Sequence, residues 1–104
     1  MEKIGEVFRL AELVQYQEGR VAIRSFTDTE HIKFKVMAFD AGSGLAEHTA
    51  PGEAVVFALE GEAVIGYEGV RHTLRAGENF CFAKDGRHYI EAANRFKMAL
   101  LITL

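Results

Sequence analysis

The 104-residue chain predicts an all-β domain, a sandwich or a small barrel. Three observations carry this. Apolar residues alternate with period two over most of the chain, the pattern of strands with one buried face. Turn signals rich in Gly, Asp and Asn recur about every eight to twelve residues. Helical spacing occurs only near the N-terminus, where Leu10, Leu13 and Val14 suffice for one short helical turn packed on the body. The length suits one domain, residues 1–104, with a single modest core. Apolar residues make up 49% of the chain, enough for it to fold rather than stay disordered.

The elements follow in order. Gln15–Gly19 reads as a loop or an edge strand. Val21–Ser25 alternates weakly, and Thr27–Glu30 is a turn candidate. In Lys33–Phe39, Phe34, Val36 and Ala38 share one face; Lys33, Lys35, Met37 and Phe39 share the other. That second face starts polar and becomes apolar, as a strand entering a core would. Asp40–Gly44 is a turn, and Ala46, His48 and Ala50 then lie on one side of a short strand. Pro51-Gly52 is a strong turn signal. Ala54–Leu59 is apolar on both faces, so it should be covered twice. A second subunit would serve as one cover, which predicts a homodimer. Glu60–Glu62 breaks the run. Ala63–Tyr67 and Val70–Leu74 flank Glu68-Gly69 as a hairpin with a primed turn. Asn79–Ala83 and Tyr89–Ala92 are short strands, and Phe96–Leu104 alternates strictly to the end.

Composition narrows the function. A formal net charge of −3, with no basic run, gives no footprint for nucleic acid. The one cysteine, Cys81, allows no internal disulfide, and its apolar surroundings predict a buried, inert thiol. Neither a signal peptide nor a membrane-length apolar run is present, so a cytoplasmic protein is expected.

Two segments carry the functional reading. Gly42–Gly61 places His48 just before the only proline, Pro51. His88 follows a second glycine-marked strand that begins near Gly77. Together they resemble the two motifs of the cupin family. The first motif reads Gly, five residues, His-x-His, three or four residues, Glu, six residues, Gly. Here Gly42 begins it, His48 takes the first histidine position and Gly61 closes it. The second reads Gly, five residues, Pro-x-Gly, two residues, His. Here Gly77 begins it, Ala83 and Asp85 replace the proline and glycine, and His88 takes the histidine. The resemblance spans about Gly42–Ala92. It implies a double-stranded β-helix, or jelly-roll barrel. It also implies one divalent transition metal (Fe, Mn, Ni or Zn) held inside by three histidines and a glutamate.

His48, His88 and Glu53 form the candidate metal set, a two-histidine, one-carboxylate group. The register works against it. The second histidine position is Ala50, and counting back from Gly61 puts the glutamate position at Ala54. Glu53 is one residue early, which turns it to the opposite strand face unless a bulge after Gly52 re-aims it. His72 is an outside candidate for a third nitrogen. Small side chains at Ala46, Ala50, Ala54 and Ala58 would leave volume, walled by Phe39, Phe80 or Phe82, and Tyr89. The expected site is therefore a small-molecule pocket containing His48, His88, Ala50, Ala54 and Tyr89. The competing reading is a metal-dependent dioxygenase or isomerase acting on a small organic acid or sugar derivative. A non-catalytic interaction module is the third class.

Overall fold

The structure is a computed structural model and describes residues 1–104. Eight antiparallel strands form one curled sheet, a jelly-roll half-barrel. They are β1 (Val21–Asp28), β2 (Ile32–Phe39), β3 (Gly44–His48), β4 (Ala54–Tyr67), β5 (Val70–Arg75), β6 (Asn79–Phe82), β7 (His88–Glu91) and β8 (Phe96–Thr103). The helical spacing at the N-terminus becomes a short 3-10 turn, Leu10–Leu13. No helix is long and apolar enough to cross a membrane.

β4 holds the two halves together. Its first part pairs with β6 on one side and β8 on the other; its second part pairs with β5 and β7. The sequence reading ended this strand at Leu59 and started a new one at Ala63. Instead the strand runs through and bends. The register against β8 slips between Ala58 and Glu60, so the residue between them is extra. Gly61 then adopts φ 75°, in the left-handed region. A bulge and a left-handed glycine turn a strand without ending its pairing. The Glu68-Gly69 turn forms as expected, with φ 47° and 83°, the positive pair that a primed hairpin needs. β1 is longer than its weak alternation indicated. It runs through Thr27 and Asp28, and the turn tightens at Thr29, whose amide donates to the carbonyl of Ile32.

The curled sheet closes on a core that includes Met37, Phe39, Val56, Ile65, Ile90, Phe96 and Met98. The two-faced pattern of β2 appears as read. Met37 and Phe39 enter this core, while Val36 and Ala38 face outward. Those outward residues are covered by Leu13 and Val14 from the N-terminal segment, with Leu10, Tyr16 and Leu59 packed alongside. Part of the second cover expected over β4 therefore comes from the chain itself. Lys97, on the same outer face, is buried and donates to the carbonyl of Ala11 at 2.7 Å. Cys81 does not meet expectation. It is exposed, because β6 is an edge strand and Cys81 points opposite to Phe80 and Phe82.

Candidate functional site

β3 and β7 bring the two motif histidines together. His48 pairs directly with His88, and their rings meet edge to face at 4.2 Å between centroids. A register slip makes this possible. Leu45 pairs with Ile90, yet His48 pairs with His88, so β3 carries one extra residue between them. That bulge puts Leu45 and His48 on the inner face. It also turns Ala46 outward, where it is exposed, contrary to the simple alternation that put Ala46 and His48 on one side.

His88 is held on all sides. Only 4% of it is exposed. Its ring stacks on Phe82 at 4.0 Å, and Phe82 stacks in turn on Tyr67 at 5.5 Å. Its Nδ1 lies 3.0 Å from the carbonyl oxygen of Gly86. The Nδ1 of His48 lies 2.8 Å from the carbonyl oxygen of Ala46. A carbonyl only accepts, so in both rings Nδ1 carries the proton, and in a neutral ring Nε2 then presents a lone pair. Burial lowers the His88 pKa, the Gly86 carbonyl opposes this, and His48 adds a smaller lowering. The buried ring is thus held in its neutral form.

The loop before His88 is built to deliver it. Tyr67 Oη accepts the amide of Ala83 at 3.1 Å, and the Asp85 amide donates to Ala50 at 3.1 Å. Asp85 stands at the motif's glycine position and adopts φ 64°. Aspartate is among the residues that tolerate this region, so the turn survives the replacement.

Both histidines open onto a cavity of about 200 Å³. Ala50 and Ala54 line it as expected, with Phe82, Met37, Leu100 and Ile102 as apolar walls. Two expected members are elsewhere. Tyr89 follows His88 on its strand and so points to the outer face, where its hydroxyl accepts from Arg71 at 3.1 Å. Glu53 is exposed and outside the lining. The Thr103 amide donates to the Glu53 carbonyl at 2.9 Å and Ala54 pairs with Ile102, so the register runs through Glu53 and no bulge re-aims it. His72 is half-buried against Phe80 at 4.9 Å and does not reach the cavity. A larger depression, about 770 Å³, lies along the outer side of β3 and β7. It holds Tyr89, Glu47 and Glu91 but no histidine, so the chemistry favours the smaller cavity. Of the polar lining side chains, Lys35 and Thr49 were not anticipated as site members. The signal for Lys35 was its strand phase with Met37 and Phe39.

These residues do not fit the implied metal. Two imidazoles converge, but Ala50 and Ala54 occupy the other two ligand positions and carry no donor. No group of three His, Cys, Asp or Glu side chains is placed to hold an ion. A lone imidazole pair falls short of the donor sets that hold transition metals.

Comparison with known proteins bears on the fold. A cupin superfamily protein from Desulfitobacterium hafniense DCB-2 superposes with a TM-score of 0.91 at 22% identity, covering 96% of this chain and 92% of that one. A Cupin 2 conserved barrel domain protein from Leptotrichia buccalis gives a TM-score of 0.90 at 32% identity, over 93% of this chain and 47% of that one. Less similar folds include a DMSP lyase and a salicylate 1,2-dioxygenase, at 22% and 16% identity, which show the fold alone. No curated protein sequence matches. The cupin domain model matches residues 35–103, the span that holds β4 and both histidines, and the chain belongs to the cupin family.

Proposed function

We propose that this cupin is a cytoplasmic homodimer that binds a small molecule in the cavity beside His48 and His88. The observation that carries the reading is the pair of rings at 4.2 Å, each with Nδ1 on a carbonyl and Nε2 left to accept. A few oriented polar groups on a mostly apolar wall are the usual form of a small-molecule site.

Fragment screening by ligand-observed NMR tests the binding role. Wild type should retain hits that an Ala54→Leu variant, with the cavity filled, loses. Denaturation of both proteins separates this from the cost of overpacking, about 1–3 kcal/mol. Equal binding to the two proteins would sink the reading.

The rival, a metal-dependent dioxygenase or isomerase, draws support from the same free Nε2 atoms, since fixing Nδ1 on a carbonyl also prepares a ligand. The donor set argues against it. Metal analysis of untagged protein after reconstitution should find less than about a tenth of an equivalent of transition metal. A stoichiometric ion that His48→Ala removes would favour the rival instead.

A further inference from the structure

We propose that Lys35 makes this cavity a site for a small organic anion, a carboxylate on a short apolar body. The proposal rests on the ligand-binding reading above and names the class of ligand.

Lys35 lies on the inner face of β2, in phase with Met37, and pairs across to Leu100 of β8; all three line the cavity. It is half-buried. The other lysines that are not exposed have partners. Lys33 faces Asp28 at 4.0 Å, and Lys97 donates to Ala11. Lys35 has neither an ion pair nor a hydrogen bond within the protein. The lining contains no Asp or Glu at all; its remaining polar side chains are His48, His88 and Thr49. Its stem packs on the apolar wall, and the protein supplies its ammonium with no counter-charge. A carboxylate entering the cavity would supply that charge, whereas a divalent cation would be repelled by it.

The imidazoles refine the ligand. Their Nε2 atoms accept hydrogen bonds, so they suit a hydroxyl or amine on the ligand rather than its carboxylate. The carboxylate is left to Lys35 and the Thr49 hydroxyl. The apolar part would lie against Met37, Phe82 and Ile102. At about 200 Å³ the cavity is below the range of drug-sized pockets, about 300–1,000 Å³, so the body has only a few carbons. A small hydroxy acid meets all of these conditions.

The test uses 2-hydroxy-3-methylbutanoate and its neutral amide as probes. Each is titrated into the ¹⁵N-labelled full chain, following the backbone resonances of Lys35, Ala54 and His88. The acid should bind at least about tenfold more tightly than the amide, as a charge-assisted contact requires. Lys35→Met should abolish that preference with the rest of the spectrum unchanged, and Lys35→Arg should keep it. Equal binding of acid and amide to wild type, or an unchanged preference in Lys35→Met, would overturn the proposal while leaving the cavity a binding site. If neither probe moves these resonances up to its solubility limit, the anion proposal falls. A simultaneous failure of the fragment screen would take the binding reading with it.

Discussion

At the scale of single residues, His88 shows how burial sets chemistry. Its ring sits between Phe82 and His48 and hands its proton-bearing nitrogen to Gly86. Burial favours the neutral form and lowers its pKa in the folded chain below the ordinary 6.5. The sign for stability follows. Well above pH 6.5 the ring is neutral in both states and contributes no pH dependence. As pH falls below that value the unfolded chain takes up the proton first, so the folded state loses stability. The loss levels off once pH passes the lower pKa of the folded chain. Urea denaturation at pH 7.5 and 5.5 should show the decline, and His88→Gln should make it shallower. A variant with the same slope as wild type would mean that another group titrates.

Among the elements, β4 depends on one glycine. Gly61 has φ 75°, and a Cβ there would collide with the carbonyl oxygen of Arg95. Neither problem can be relieved by moving a flexible side chain. Gly61→Ala should therefore cost about 2–3 kcal/mol, read as a lower urea midpoint with an unchanged slope. The penalty belongs to the bend that carries β4 from its β6 and β8 partners to β5 and β7. An alanine at Gly69 meets no atom within 4 Å, so it isolates the cost of a positive φ from that of a collision. Gly61→Ala should be the more damaging of the two.

For the whole molecule the open question is the outer face of the sheet. Cys81, Val55, Leu101 and Phe34 pair in one row across β6, β4, β8 and β2. Val55, Leu101 and Phe34 are half-buried, and Cys81 is exposed. The N-terminal segment covers the neighbouring part of this face, around Val36 and Ala38. Phe34 packs against that covered part, so the proposed homodimer would use the rest of the row, Cys81, Val55 and Leu101. Sedimentation equilibrium should give twice the monomer mass of 11.6 kDa, and Val55→Glu should shift it toward monomer. A wild-type monomer at millimolar concentration would remove the dimer.

Much of this was legible in the residues. The alternation in Lys33–Phe39 and Phe96–Leu104, the Glu68-Gly69 hairpin and the two histidine motifs were enough for the all-β jelly roll. They also sufficed to place His48, His88, Ala50 and Ala54 in one cavity. Alternation even predicted that Glu53 would face away from Ala54. The same rule, applied to Tyr89, would have put it opposite His88, on the outer surface where it lies. What strand period could not supply were its interruptions. The bulge in β3 turns Ala46 out while keeping His48 in, and the bulge at Ala58–Glu60 carries β4 through an apparent break. Bulges are settled by pairing with strands distant in sequence, and no local pattern marks them. The exposure of Cys81 and the unpartnered ammonium of Lys35 are likewise tertiary facts. An edge strand is known as an edge only when the sheet is assembled, and a lysine is known to lack a carboxylate only when its neighbours are in place.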